Sequence, residues 1–287
     1  MLYYLVHLEM RPEVAEGYKS PAQRARVITE TWVSENMYCP GCDSDSLEAL
    51  PKNTRVADFI CASCEDRFQL KSQSKPFGNR VLDSAYEPMM QAILAGKVPN
   101  LLLMHYRLQV WRVHDFLAVP SFFLSPSSIE RRPPLKSSAR RAGWVGCNIV
   151  LRQLPPDARI SVVDGGRIAP AAEVREQWRS FSFLKEQKAE TRGWLADVLT
   201  CVRRIGKPEF TLADVYAFEG ELERLHPANR HVRDKIRQQL QMLRDSRTLI
   251  FVRRGVYQLQ SGHHLGVPSG FDGIGASSGR EAGTHGW

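Results

Sequence analysis

No stretch of this 287-residue sequence is long and apolar enough to span a bilayer. Leu101-Leu-Leu-Met104 is short and flanked by polar residues, the pattern of a buried strand. The opening Met1-Leu-Tyr-Tyr-Leu-Val-His-Leu-Glu9 has neither a basic n-region nor a long apolar core, so a secretory signal is not expected. These absences point to a cytoplasmic protein. No internal repeat appears. Acidic charge is in deficit: 31 Asp and Glu face 39 Lys and Arg, giving a net charge of +8. A basic balance suits a partner rich in phosphate but does not identify one. The rest of the composition, 43% hydrophobic and 24% charged, is that of a soluble globular chain with room for one large domain or two ordinary ones.

Cysteines are few, and four of the six fall in two pairs, Cys39-Pro-Gly-Cys42 and Cys61-Ala-Ser-Cys64. In a reducing compartment such pairs bind metal more readily than they form disulfides. Two Cys-x2-Cys turns at this separation fit one four-thiolate zinc ion better than a redox pair. Four thiolates fill a tetrahedral ion and leave no place for water, so the zinc is expected to be structural. Gly41 is expected to relax the first turn. Cys147 and Cys201 stand alone and read as small buried hydrophobes.

A second signature overlaps the zinc signature. Val56-Ala-Asp-Phe-Ile60 and Phe68-Gln-Leu-Lys-Ser72 read as short strands joined by the turn that carries Cys61 and Cys64. Strand alternation puts Gln69 and Lys71 on one face, with Phe68 and Leu70 on the other. Phosphodiester cleavage needs a hard cation held by oxygen ligands and an activated water. Asp58 offers a carboxylate, Gln69 a carbonyl oxygen, and Lys71 a cation that orients water and stabilises phosphate charge. A neutral Gln holds a cation more weakly than Glu, so a second carboxylate is expected, with Glu30 on the preceding helix the first candidate. Glu65 and Asp66 lie in the zinc turn and are expected to be solvated. Taken alone, an Asp and a Gln-x-Lys are commonly just strand-surface residues.

Between Arg131 and Cys147, five cations (Arg131, Arg132, Lys136, Arg140 and Arg141), Pro-Pro and two Gly argue for a loop that can follow phosphates. Trp144 lies between glycines there and is either buried or placed to reach a base. After Pro170 the pattern turns helical. Trp194, Leu195, Val198, Leu199, Val202 and Ile205 form one helix face, Thr211-Leu-Ala-Asp214 resembles a capping box, and Val232, Ile236, Leu240 and Leu243 line a third helix. A hairpin from Leu249 to Leu259 with the tip Arg253-Arg254-Gly255 follows. Three helices and a basic hairpin read as a winged helix-turn-helix. Arg233, Lys235, Arg237 and Gln238 are its candidate base and phosphate readers, and Arg253 and Arg254 its wing contacts. Many such modules bind only protein. Residues 261–287, rich in Gly, Ser and His, read as a flexible tail in which His263 and His264 are too isolated to define a metal site.

From about Leu8 to Leu259 the sequence resembles the DpnI-type restriction endonucleases. The resemblance rests on Tyr18-Lys-Ser, Gln23-Arg-Ala-Arg-Val-Ile-Thr-Glu-Thr-Trp-Val33, Tyr38-Cys-Pro-Gly-Cys42, Val56-Ala-Asp-Phe-Ile-Cys61, Leu70-Lys-Ser72, Ala139-Arg-Arg-Ala-Gly-Trp-Val-Gly-Cys-Asn-Ile149 and Lys235-Ile-Arg-Gln-Gln-Leu-Gln-Met-Leu-Arg-Asp245. It implies an α/β PD-(D/E)xK nuclease core carrying the zinc site, over residues 1–185, and a winged helix over 186–260. It also implies magnesium-dependent double-strand cleavage of DNA at GATC sites with methylated adenine, read by both domains. Asp58 and Lys71 then match the catalytic motif, and Trp144 the tryptophan that senses methyl groups. The family pattern Glu-Leu-Lys is Gln69-Leu-Lys71 here, so manganese is expected to serve better than magnesium, being more tolerant of imperfect ligand sets. The competing readings are a methyladenine sensor with an inactive centre and a zinc-stabilised transcription regulator. A monomer is expected.

Overall fold

The computed structural model describes residues 6–260 apart from 52–53 and 55–56. The expected tail, and Val56 of the expected first strand, lie outside the described residues. In chain order the elements are α1 (Pro21–Asn36), β1 (Glu48–Ala49), β2 (Phe59–Ile60), β3 (Arg67–Gln73), β4 (Arg80–Ala85), α2 (Tyr86–Leu94), β5 (Asn100–Arg107), β6 (Arg112–Val119), β7 (Ile129–Arg131), β8 (Gly146–Val150), β9 (Ile160–Asp164), β10 (Arg167–Ile168) and α3 (Ala171–Ser180). After these come α4 (Ala189–Ile205), β11 (Glu209–Thr211), α5 (Leu212–Tyr216), α6 (Glu219–Leu225), α7 (Val232–Asp245), β12 (Leu249–Arg253) and β13 (Val256–Leu259).

A mixed seven-stranded sheet runs β1-β2-β3-β5-β6-β9-β10, and β3 and β5 are parallel within it. β5 lies between β3 and β6, so its Asn-Leu-Leu-Leu-Met-His-Tyr run is buried throughout. A strand covered on both faces reads as a continuous apolar segment rather than an alternating one. α1 packs on this sheet through Ile28, Thr29, Trp32 and Val33, and the Thr29 and Ser72 hydroxyls meet at 3.1 Å. Pro21 opens α1, where its missing N–H leaves nothing unpaired. Trp32 also donates from its indole nitrogen to the His7 carbonyl at 2.8 Å, which ties the N-terminal segment to the helix.

A separate three-stranded sheet, β4-β8-β7, is antiparallel, with Asp83 opposite Cys147 and Ala85 opposite Gly146. The basic loop of residues 132–145 is the long connection between β7 and β8, so it is one end of this small sheet.

The C-terminal helices form as the sequence indicates, with two refinements. The expected second helix is two short ones, α5 and α6. Thr211 caps α5, and its N–H and hydroxyl both donate to the Asp214 carboxylate, each at 2.7 Å. α4 does not bury one face only: Arg192 through Val202 are all buried. It packs against α7 on one side and against α2 and the Ser121–Ser128 turns on the other. That second contact explains buried Asp197, which accepts from Ser127 at 3.0 Å and meets His226 Nε2 at 2.8 Å. Gly206 ends α4 with φ +67°, the left-handed position where glycine carries no steric penalty. β12 and β13 form the hairpin, with Arg253, Arg254 and Gly255 at its tip, and β11 adds a third strand beside β13.

Candidate functional site

The four paired cysteines converge. Cys39 and Cys64 sulfurs are 3.7 Å apart, Cys42 and Cys61 sulfurs 3.6 Å apart, and all four lie within 4.8 Å of one another. A zinc–sulfur bond of about 2.3 Å gives a tetrahedron with edges of about 3.8 Å, so the cradle fits that ion. Burial pushes the Cys39 thiol far up and the Cys64 thiol up to about 12. Burial acts on Cys61 too, but the Cys64 and Ser63 backbone N–H groups prevail and hold it at about 7. A cation at the centre would supply the positive charge that lets the raised Cys39 and Cys64 thiols ionise.

The surroundings of this cluster were only partly legible. Gly41 has an ordinary φ. Its requirement is space: an added Cβ would stand 2.7 Å from the Asp66 carboxylate and 3.1 Å from the Trp178 indole nitrogen. Asp66 is not solvated as expected but bonds Lys185 at 2.8 Å. Arg175 on α3 fastens the first turn, donating to the Cys39 carbonyl at 3.2 Å and the Ser44 carbonyl at 2.8 Å while its guanidinium lies over Tyr38. No motif announced Arg175, because it meets the turn from more than 130 residues away.

β2 and β3 are the hairpin that the second cysteine pair closes. Asp58 immediately precedes β2. Its N–H donates to the Phe68 carbonyl at 2.9 Å, and its Oδ2 accepts from the Leu70 N–H at 2.8 Å. That second bond fixes the carboxylate against the strand carrying Gln69 and Lys71, both half-buried. Lys71 Nζ donates to Asp83 Oδ1 at 2.7 Å; the Asp83 side chain is only 3% exposed. Asp83 was not a sequence candidate, since nothing in Val81-Leu82-Asp83-Ser84 marks it. Glu30 does not reach this group through any bond of its own. It pairs with Arg26 at 2.6 Å, and Arg26 in turn lies within the field of Asp58. For a hard cation the oxygen donors here are the remaining Asp58 oxygen and the Gln69 carbonyl, a set that fits magnesium or manganese in kind.

The basic loop adjoins this centre. Cys147, at its C-terminal end, is pushed up to about 11 by burial and by the charge of Asp83, while Lys71 and Arg132 act in the opposite direction, so all four groups are neighbours. Trp144 is half-buried. Arg141 lies over its ring at 4.8 Å from the centroid, and Gly146 passes so close that an added Cβ would stand 2.7 Å from the ring. Arg131, Lys136, Arg140 and Arg141 are exposed, whereas Arg132 is half-buried.

On the C-terminal part, Arg233, Arg237 and Gln238 are exposed on α7, and Lys235 is half-buried. Arg233 binds Glu219 at 2.9 Å and stacks on Tyr216; Arg237 pairs with Asp234 and donates to the Tyr216 hydroxyl at 3.0 Å. Arg253 reaches Glu209 at 3.5 Å. Lys235 and Arg254 make no ion pair among the described residues.

A large mixed sheet with a four-thiolate cluster able to hold zinc, followed by a helix-turn-helix, defines an α/β protein with an appended helix-turn-helix module. Among the described residues no helix is long and apolar enough to cross a membrane. The family model for DpnI, the Dam-replacing family, matches residues 6–187, and that for the Dam-replacing HTH domain matches residues 190–259. The chain belongs to this Dam-replacing family. Membership suggests a methylation-dependent restriction enzyme whose C-terminal module binds DNA.

Proposed function

We propose that this protein is a metal-dependent endonuclease that makes double-strand cuts at GATC sites carrying methylated adenine. In this reading residues 1–185 form a PD-(D/E)xK nuclease domain and residues 186–260 a winged helix, and the protein acts as a monomer. The observation that carries the proposal is the bond that sets Asp58 against the strand of Gln69 and Lys71, with Lys71 paired to Asp83 and Arg132 of the basic loop close by.

Magnesium or manganese, when bound, supplies the charge that polarises the scissile phosphate and its attacking water. The Leu70 N–H holds Asp58 through one oxygen, leaving the other for the cation. Gln69 contributes a neutral oxygen. Lys71 is held by Asp83, so its ammonium is aimed without searching rotamers, and it stabilises negative charge growing on the phosphate. Asp83 commits its carboxylate to Lys71, so the neutral oxygen of Gln69 is not replaced by a second acidic ligand. Arg131, Lys136, Arg140 and Arg141 follow the backbone phosphates, and Trp144 provides an apolar surface for the adenine methyl. One methyl contact discriminates by only about 1–3 kcal/mol, so a second reader in the winged helix multiplies the selectivity.

The test is cleavage of one plasmid prepared with and without GATC adenine methylation, with magnesium and separately with manganese. Discrete fragments from the methylated plasmid alone are expected. Intact DNA under both ions, together with methyl-dependent binding, would establish the sensor reading instead.

A further inference from the structure

The bulge between β5 and β6 gathers three donors that the nuclease reading leaves unused. His105 on β5 is opposite Asp115 on β6, and the next pair is Tyr106 with Val113, so His114 is the extra residue. A bulge sets two residues of one strand against one of its partner and turns the added side chain out of strict alternation. Here it brings His114 beside Asp115 and facing His105. His105 Nδ1 lies 2.7 Å and His114 Nδ1 2.9 Å from the same oxygen, Asp115 Oδ2. The other oxygen, Oδ1, accepts from the Gly165 N–H at 2.9 Å. Gly165 and Gly166, with φ of +56° and +81°, form the tight β9–β10 turn that presents this N–H, and Gly166 N–H holds the His114 carbonyl at 2.8 Å. Asp115 is therefore fixed with one oxygen committed and the other directed at two imidazole nitrogens.

We infer that His105, His114 and Asp115 form a second metal site, distinct from the four-thiolate cluster, for a divalent transition ion such as zinc. The three donor atoms lie within 4.8 Å of one another, and His105 and Asp115 are buried while the His114 side chain is 21% exposed. Imidazole nitrogen with carboxylate oxygen suits zinc, cobalt or nickel; magnesium prefers oxygen throughout. On binding, each neutral imidazole ligates through Nδ1 and carries its proton on Nε2, so the ion replaces the two N–H donors that Asp115 Oδ2 now accepts. Three protein donors leave at least one position of a tetrahedral ion for water or a phosphate oxygen. The site lies on the sheet face of the catalytic strand: His105 pairs with Gln73, two residues along β3 from Lys71, a distance of about 7 Å along the strand.

The experiment measures zinc bound by the full chain after dialysis at micromolar free zinc, for the unaltered protein, H105Q/H114Q and H114Q. About two ions per chain are expected for the unaltered protein and about one for the double variant. H114Q keeps Asp115 anchored to Gly165 and His105, so it guards against a folding defect in the double variant, and it should also lose the second ion. Loading with cobalt assigns the ion that is lost: the intense thiolate charge-transfer absorption should persist in both variants, while the weaker bands of the nitrogen–oxygen site disappear. A single ion in the unaltered protein overturns the inference. So does a second ion that survives the substitutions.

Discussion

Lys71 on the seven-stranded sheet donates to Asp83 on the three-stranded sheet at 2.7 Å, an ion pair joining the two sheets at the candidate catalytic strand. Asp83→Asn keeps the shape and removes the charge that aims Lys71. Cleavage should fall on the order of 100-fold, with methyl-dependent DNA binding retained. Lys71→Ala should do the same, and the double variant should lose little more than the worse single one, because both act on one group. Fully additive losses in single-turnover cleavage would show that Asp83 acts independently of Lys71.

Gln69 is the departure with the plainest consequence for metal use. In the proposed centre its neutral oxygen would contribute less to holding a divalent cation than a carboxylate would. Gln69→Glu should lower the magnesium concentration for half-maximal cleavage by about tenfold and narrow the advantage expected of manganese. Superimposable titration curves for the two ions, in both proteins, would remove Gln69 as the determinant.

What the sequence disclosed and what it withheld differ in physical kind. The cysteine spacing was legible because two short turns sharing one ion must be encoded locally, and the sulfurs do converge. Leu101–Met104 and the Thr211 cap were legible for the same reason, since each rests on neighbours within a few residues. Asp83 was not, because its partner is a lysine of another sheet. His105, His114 and Asp115 were hidden by the bulge, which breaks the alternation that a strand pattern assumes. α4 showed one apolar face, yet its polar side is also buried, because Ser127 and His226 satisfy Asp197.

Zinc removal should loosen the proposed catalytic hairpin rather than only a distant knuckle, since Cys61 and Cys64 close the turn between β2 and β3. Chelation, or Cys39→Ser, should lower the melting temperature and abolish cleavage even with magnesium in excess. Structural zinc contributes on the order of 10 kcal/mol in small domains, and a larger domain with its own core should lose only part of that. The pH dependence has a definite sign. Burial raises the Cys39 and Cys64 thiols, so the ion-free cluster holds protons at neutral pH that zinc must displace. Zinc affinity should therefore fall as pH falls and rise as pH rises. Chelator competition at about pH 6 and about pH 8 checks this, with faster zinc loss expected at the lower value.

The cations of the C-terminal module divide by what already engages them. Lys235 on α7 and Arg254 at the hairpin tip make no ion pair among the described residues, so their charge is available to phosphates. Lys235→Ala and Arg254→Ala should each reduce the slope of log affinity against log salt by about 1 and leave the melting temperature unchanged. Arg233 and Arg237 instead bind Glu219, Asp234 and Tyr216, an exposed network that braces α7 against α5 and α6. Replacing either with Ala should lower the melting temperature of the module slightly as well as weakening binding. Arg140→Ala should reduce the salt slope in the same way, and should also slow cleavage of bound DNA, because its loop begins at Arg132, a neighbour of the proposed catalytic Lys71, and the hairpin tip belongs to the other module. Equal effects of Arg140→Ala and Arg254→Ala on single-turnover cleavage would contradict this division between holding DNA and presenting it to Lys71.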